Sequence, residues 1–577
     1  MKDSVTWKIG GEAGFGIMSA GTVLAKTFTR AGYYIFAVND YPSLIRGGNN
    51  VVSVRIGSTQ FFGINKDVHI LVALNSETIT LHKDELSEGA FVLFDPSDKE
   101  WTTGDFSKKV TLLPIPLRTI MNELKADMVM RNTVVIGASV ALLGVPFEAL
   151  SSVLRDQFIH KGQAIVDQNV KIAQAGYDYI QKQYVKETSL HLTPGTMREK
   201  QLVINGSEAF GLAAVRAGLK FAAIYPMTPI NAIIGFLADH AKELGIVYKQ
   251  PEDEIAGINM AIGASLAGAR SMVATSGGGF ALMVEGLSLA GMIEVPLVID
   301  LGMRVGPATG MPTYTEQGEL LFAIHAGHGE FAKIILAPGD VEEAYSLTID
   351  AFNLADVYQV PVIVLTDKYL NESQWCLSLS HFQKPVTIDR GKLVIDDTGK
   401  ADGEFLRYDA MSPDGVSMRS VPGTKHGQYY ANSYEHDGAG HMTDTAEKRN
   451  QMVAKRLRKI ESIKAVIMPP KVYGDESSEI TFVTWGTTKN SVIAAMELLR
   501  MQGKKVSVIT FPWVYPFPVE AAKSLFSKAK RIIVVEQNAT GQLAQLIRAE
   551  TGIDIFEKLL KYDGRAWLPE EILEKVS

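Results

Sequence analysis

Three short runs decide how this chain of 577 residues is read: Tyr225-Pro226-Met227-Thr228-Pro229, Pro251-Glu252-Asp253-Glu254, and Arg304-Val305-Gly306-Pro307-Ala308-Thr309-Gly310-Met311-Pro312-Thr313. The first closes the β-rich run from Ala222 to Thr228, and the third follows the apolar strand Val295 to Leu301. Open α/β sheets bind ligands at such strand ends. The two prolines fix φ and bias their preceding residues away from the right-handed helical region, so Thr228 is aimed from a strand-to-helix turn. A plain helix N-cap would use a threonine in the same way. Glu254 stands in the first turn of a small-residue helix, Ala256 to Ala269, where the helix dipole favours acids. Two carboxylates would suffice for capping, and Gly257, Ala261, Ala264 and Gly268 follow at helical spacing, open to a neighbouring backbone or a flat ring. Arg304 is the one cation before a loop of little side-chain bulk. Its planar fork suits a small carboxylate, although an ordinary surface arginine looks the same in sequence. Between these runs, Thr275-Ser276-Gly277-Gly278-Gly279 offers backbone N–H groups at a helix start, where a ligand can meet them.

Working outward, 46% hydrophobic residues over this length supply cores for several domains. The net charge of −7 carries no basic footprint, so nucleic-acid binding has no support. No uncharged apolar run of about twenty residues occurs, which argues against a membrane span, and the chain reads as cytoplasmic. The single cysteine, Cys376, excludes an internal disulfide and any cluster held by four thiolates of this chain.

The fold class is α/β, with three α/β domains. Residues 1–190 alternate apolar β-rich runs with helical patterns. Their first turn, Gly10-Gly11-Glu12-Ala13-Gly14-Phe15-Gly16, resembles a weak dinucleotide fingerprint, with Asp40 at the distance of a ribose contact and Glu12 arguing against it. Residues 191–200 read as a linker around Pro194-Gly195. Residues 201–370 carry continuously apolar strands such as Val362 to Leu365, as in a parallel sheet covered on both faces. Residues 371–476 are an irregular connecting region with one basic helix, Ala446 to Ile463. That helix reads as a solvated surface element, with an acidic ferredoxin as an alternative partner for it. Residues 477–577 form a last α/β unit.

The runs YPMTP, EDEIAGINMAIGASLAGAR, TSGGG and EVPLVIDLGMRVGPATGMPT, in this order, resemble the α subunit of the 2-oxoacid:ferredoxin oxidoreductases. The first domain resembles the family's γ subunit, with Tyr41-Pro42-Ser43-Leu44-Ile45-Arg46-Gly47-Gly48 as a second matching run. The middle domain corresponds to a thiamine-pyrimidine-binding domain and the last to a transketolase C-terminal domain. The resemblance implies a fused γα subunit and a thiamine diphosphate-dependent enzyme. Glu254 matches the glutamate that hydrogen-bonds N1′ of the aminopyrimidine. Thr228 and Arg304 match residues at the 2-oxoacid's carboxyl end. Tyr225 and Thr313 are implied as pocket-lining, and Pro226 as a cofactor contact. Arg46 is a candidate for an anionic group of coenzyme A or substrate, and a structural ion pair is its alternative.

The sequence contains no Gly-Asp-Gly, the family's usual Mg²⁺ and diphosphate anchor. The resemblance therefore implies a β subunit carrying the diphosphate half of the cofactor site, Mg²⁺ and a [4Fe-4S] cluster, in a (γα)2β2 assembly that reduces ferredoxin. The implied reaction is the reversible, coenzyme A-dependent oxidative decarboxylation of a 2-oxoacid, with 2-oxoglutarate favoured by the fused layout. Run in reverse it would carboxylate an acyl-CoA, as a reductive carbon cycle requires. Pyruvate, branched 2-oxoacids, a nucleotide-dependent dehydrogenase and a non-catalytic assembly subunit are the alternatives.

Overall fold

A computed structural model describes residues 3–44, 47–61, 63–97, 106–184, 190–197, 199–399, 404–475 and 477–576. The chain divides into two compact units. The first comprises Met1–Asn205, Glu372–Lys384 and Leu568–Glu574, and the second Gly206–Asn371, Pro385–Trp567 and Lys575–Ser577.

The first unit is built on an eight-stranded sheet in the order Val110–Pro114, Leu86–Phe94, Val68–Ala73, Ser4–Glu12, Asn49–Gly57, Tyr34–Asp40, Gln374–Ser378, Gln201–Asn205. Ser4–Glu12 runs parallel to Val68–Ala73 and antiparallel to Asn49–Gly57. Trp7, Ile9, Leu24, Phe28, Val54 and Ile70 are among its buried core residues. The helices Arg131–Leu142 and Gln163–Gln183 meet at two glycines. A Cβ on Gly137 would collide with the Ala173 carbonyl, and one on Gly176 with the Val134 carbonyl, so the backbones touch where no side chain intervenes. The sheet also takes in Gln201–Asn205 and Gln374–Ser378, which pair with each other. Sheet membership thus cuts across the expected limits at 201 and 370.

This topology removes the dinucleotide reading. Asn49–Gly57 lies between Ser4–Glu12 and Tyr34–Asp40, so Asp40 stands two strand spacings, roughly 10 Å, from the glycine-bearing strand. Gly10 and Gly11 belong to that strand. The space above three of the four glycines is filled by protein: a Cβ at Gly10 would meet Thr78, at Gly11 Leu74 and Phe15, and at Gly16 Asn132, while Gly14 faces open space.

Among the described residues the second unit holds two large sheets and a two-stranded one, Leu393–Val394 with Arg419–Ser420. The larger runs Trp513–Tyr515, Ile334–Leu336, Pro361–Asp367, Leu297–Met303, Arg270–Thr275, Leu219–Ala223, Val247–Lys249. All neighbours in it are parallel except Trp513–Tyr515 against Ile334–Leu336. Its central strands are buried from end to end, as covering on both faces requires. Alternation sorts their side chains. Val273, Ile299, Ile335 and Ile363 share one core with Val483, Ile509 and Val534 of the smaller sheet and with Trp485 just past its strand Ile480–Thr484. Met272, Val298, Val362 and Val364 face the opposite way, into a core with Phe210, Leu237 and Phe352. The smaller sheet runs Lys471–Gly474, Val506–Thr510, Ile480–Thr484, Ile532–Glu536, Glu557–Leu560.

The region between 385 and 445 has little regular structure and is held by buried charges. Asp356 is ion-paired to Arg270, Arg390 and Arg419. The helix Ala446–Lys464 departs from the solvated reading. Lys455 and Lys459 are both buried and lie 2.6 Å from the Glu294 carboxylate, while Arg456 pairs with Glu435 at 2.8 Å. Spacing of i and i+4 puts the two lysines on one face, and a buried carboxylate draws that face inward.

Candidate functional site

The parallel strands of the larger sheet end together at their C-terminal edge, and the polar residues singled out above leave from that edge. After Leu219–Ala223 the chain turns through Tyr225 and Thr228, both half-buried, with Pro226 exposed and the Thr228–Pro229 peptide cis. After Arg270–Thr275 it starts the helix Gly277–Met292 with no side-chain cap, leaving its first N–H groups without a capping partner. After Leu297–Met303 comes Arg304. The structure links the first and third strand ends directly: Arg304 Nη1 donates to the Thr228 carbonyl oxygen at 2.7 Å. The carbonyl, and not the hydroxyl, is the atom of Thr228 that Arg304 holds. Four of the five guanidinium N–H bonds are left for other partners. Burial pulls the pKa of Arg304 below the usual arginine range, and the nearby Glu319 opposes that shift.

Glu254 opens the helix Glu254–Leu266, behind Asp253, whose side chain caps Ala256 N at 2.7 Å. Asp253 therefore does the capping, and Glu254 is released from it. Glu254 is 3% exposed and its Oε1 has no hydrogen-bond partner. A Cβ at Gly279 would fall 2.5 Å from that oxygen and closer still to Thr275 Oγ1. Only glycine lets the Gly277–Met292 helix start against this carboxyl. Thr275 Oγ1 in turn lies 4.0 Å from Met227 Sδ, so the turn, the helix start and Glu254 form one cluster. Above Gly278 there is open space.

The small face of Glu254–Leu266 meets neighbouring backbone, one of the two partners expected for it. A Cβ at Gly257 would only touch the Ala223 carbonyl, Ser271 Oγ donates to the Ala261 carbonyl at 2.7 Å, and Gly268 backs onto Val421. Small residues there seat the helix on the protein, and the close approach belongs to Gly279. Thr313 is 6% exposed, with Oγ1 buried and unpartnered, in the loop whose base is closed by Met311 N donating to Val305 O at 3.1 Å. No hydrogen bond joins it to Glu254 or Arg304 among the described residues. Arg46 lies outside the described residues.

Two acids were missed. Asp300, within Leu297–Met303, is fully buried, accepts from Thr366 Oγ1 at 2.7 Å, and is pushed up to about 7 by burial. Glu319 lies against Gly277, with Oε2 buried and unpartnered. The signal for Asp300 was a single charge in an apolar strand. For Glu319 it was a pair of acids, Glu316 and Glu319, just beyond the last run quoted. Cys376 Sγ accepts from Ile35 N at 3.3 Å within the first unit. No helix among the described residues is long and apolar enough to cross a membrane.

A buried acceptor awaiting a donor, beside a glycine-opened helix start, fits the pyrimidine half of a thiamine diphosphate site. Comparison with known proteins agrees. Residues 212–455 match the thiamine diphosphate-binding family of pyruvate flavodoxin/ferredoxin oxidoreductases. Residues 6–179 match the pyruvate ferredoxin/flavodoxin oxidoreductase family, and 472–574 the transketolase C-terminal domain. The class is thus a thiamine diphosphate-dependent oxidoreductase. The chain is 31% identical to the 2-oxoacid:ferredoxin oxidoreductase subunit alpha of Saccharolobus solfataricus, over 99% of this chain and 97% of that one. It is 30% identical to the 2-oxoglutarate synthase subunit KorA of Archaeoglobus fulgidus, over 65% of this chain and 98% of that one. It matches a solved 2-oxoglutarate:ferredoxin oxidoreductase from Magnetococcus marinus, with 2-oxoglutarate, coenzyme A and succinyl-CoA bound, at a TM-score of 0.92 and 32% identity, covering 100% of this chain and 99% of that one. The chain belongs to the 2-oxoacid:ferredoxin oxidoreductases, as an alpha-type subunit.

Proposed function

We propose that this chain is the γα subunit of a 2-oxoglutarate:ferredoxin oxidoreductase, working with a β subunit that holds the diphosphate, Mg²⁺ and a [4Fe-4S] cluster, in a cytoplasmic (γα)2β2 assembly. The observation that carries the reading is the buried, unpartnered Oε1 of Glu254 at the glycine-opened helix start, on the same sheet edge as Arg304. When bound, thiamine diphosphate supplies a nucleophilic carbon that adds to the 2-oxo group and accepts the electrons left by decarboxylation. Glu254 would share a hydrogen bond with N1′ of the pyrimidine, donating while its carboxyl holds the proton and accepting once N1′ does, and so would set the protonation of that ring. Arg304, steadied by the Thr228 carbonyl, offers its free N–H bonds to the substrate carboxylate. Tyr225, Pro226, the Thr228 hydroxyl and Thr313 shape the pocket, and Arg46 contacts coenzyme A or substrate. In this reading residues 1–190, 201–370 and 477–577 act as γ-like, pyrimidine-binding and subunit-contact modules.

The single cysteine supports placing the cluster on a partner, since iron–sulfur clusters need several thiolates. Full-length similarity to an enzyme solved with 2-oxoglutarate supports the substrate, as does the KorA relative. The test is anaerobic, coenzyme A-dependent ferredoxin reduction by the complex co-purified with its β chain, over a panel of 2-oxoglutarate, pyruvate and a branched 2-oxoacid. We expect 2-oxoglutarate to give the highest kcat/KM. A preference for pyruvate would overturn the substrate assignment and leave the chemistry standing.

A further inference from the structure

Arg304 is half-buried, spends one N–H on the Thr228 carbonyl, and forms no ion pair among the described residues. The acid whose charge reaches it is Glu319. The backbone that carries Glu319 is held at both ends. The Gln542 side chain clamps its segment from both sides, donating to Gly318 O at 2.6 Å and accepting from Leu321 N at 2.9 Å. Lys333 Nζ holds the far end of the short helix Leu320–His325 through the Ile324 and Ala326 carbonyls. The Glu319 carboxyl presses against the start of the Gly277–Met292 helix so closely that a Cβ at Gly277 would lie 2.6 Å from Oε1. Its other oxygen, Oε2, is buried without a partner. The charged groups facing it are Arg304 across the loop and Glu316 on its own segment, with Glu254 beyond Gly279. Two unpartnered carboxyl oxygens therefore flank the Gly277–Gly279 turn, and the incoming substrate is itself an anion.

We propose that Glu319 is a positioning residue for Arg304 that must hold a proton while Arg304 grips the 2-oxoacid carboxylate, so that substrate binding takes up a proton from solvent. This rests on Arg304 being the carboxylate grip. An ionised Glu319 would neutralise Arg304 and repel the substrate; a protonated one leaves the full guanidinium charge to it. Burial, reinforced by Glu316, pushes the Glu319 carboxyl up to about 8, with Arg304 opposing. Below that pH the proton is already in place, and above it the proton has to be taken up on binding.

The experiment is calorimetric titration of the γα–β complex at pH 8 with 2-hydroxyglutarate, a non-decarboxylating analogue of the preferred substrate, in two buffers of different ionisation enthalpy. Wild type should take up about half a proton per site, and Glu319→Gln none. In steady state with saturating coenzyme A, the wild-type KM for 2-oxoglutarate should climb by up to about tenfold between pH 7 and pH 9, and stay flat in Glu319→Gln, with kcat changed much less. Glu319→Asp keeps a titratable carboxyl and should keep a pH slope. Equal proton uptake in wild type and Glu319→Gln, or no uptake by the active wild type, overturns the proposal. If Arg304→Lys leaves KM unchanged, the underlying grip fails instead, and the two failures are told apart.

Discussion

A buried carboxyl oxygen without a hydrogen-bond partner costs about 1–3 kcal/mol, and Glu254 Oε1 carries that cost beside a glycine that exists to accommodate it. Arg304 is the complementary case, a cation with most of its donors uncommitted. Replacing it by lysine keeps the charge and removes the fork, so Arg304→Lys should raise KM for the 2-oxoacid by roughly 10- to 100-fold, the worth of a charged hydrogen bond, with a smaller effect on kcat. Steady-state kinetics of the complex checks this. Asp300 gives a prediction in pH. Its folded pKa, about 7 against an ordinary 3.8, means that the folded state binds the extra proton. Its contribution is therefore favourable at low pH and lost as pH rises through 7. Asp300→Asn should gain thermal stability over wild type as pH goes from 5 to 8, and a melting series shows it. As candidates, Glu254, Thr228 and Arg304 stood out in sequence because each interrupts an apolar pattern at a strand or helix end. Glu319 was not, because its importance comes from what the fold packs against it, Gly277 from another element and Gln542 from the last domain.

At the scale of elements, the parallel strands were readable since burial on both faces leaves unbroken runs such as Val362 to Leu365. The helix Ala446–Lys464 was misread for a physical reason. A basic stripe looks solvated unless its counter-charge is known, and Glu294 lies far away in sequence, at a turn with φ 53°. Lys455 and Lys459, with Arg407 nearby, hold the Glu294 carboxyl well below its usual range. Removing that anion leaves two buried cations facing each other, and breaking a buried pair from one side costs about 3–5 kcal/mol. Glu294→Gln should lower the melting temperature by several degrees, as a thermal scan would read. The small face of Glu254–Leu266 was legible only in part: glycine and alanine at helical spacing signal close approach without saying to what, and of the expected backbone or ring the structure supplies backbone, the Ala223 carbonyl, with Val421 beyond it.

At the scale of the whole molecule, α/β architecture and family were both legible, the first from alternation of apolar strands and helices and the second from runs kept in order along nearly the full chain. Sheet membership was not. Gln201–Asn205 and Gln374–Ser378 sit together in the first unit's sheet, a long-range pairing that no local pattern announces. In the second unit the larger sheet and the C-terminal sheet share one core, which fixes the elements carrying Glu254, Arg304 and Glu319, the preorganisation that the proposed roles call for. Glu254 is the residue on which the proposed chemistry turns. The measurement that tests it most directly is the rate of deuterium exchange at C2 of thiamine diphosphate bound to the complex, in wild type and Glu254→Gln. The account predicts a fall of about 10²- to 10⁴-fold in the variant with cofactor still bound; exchange at the wild-type rate would contradict it.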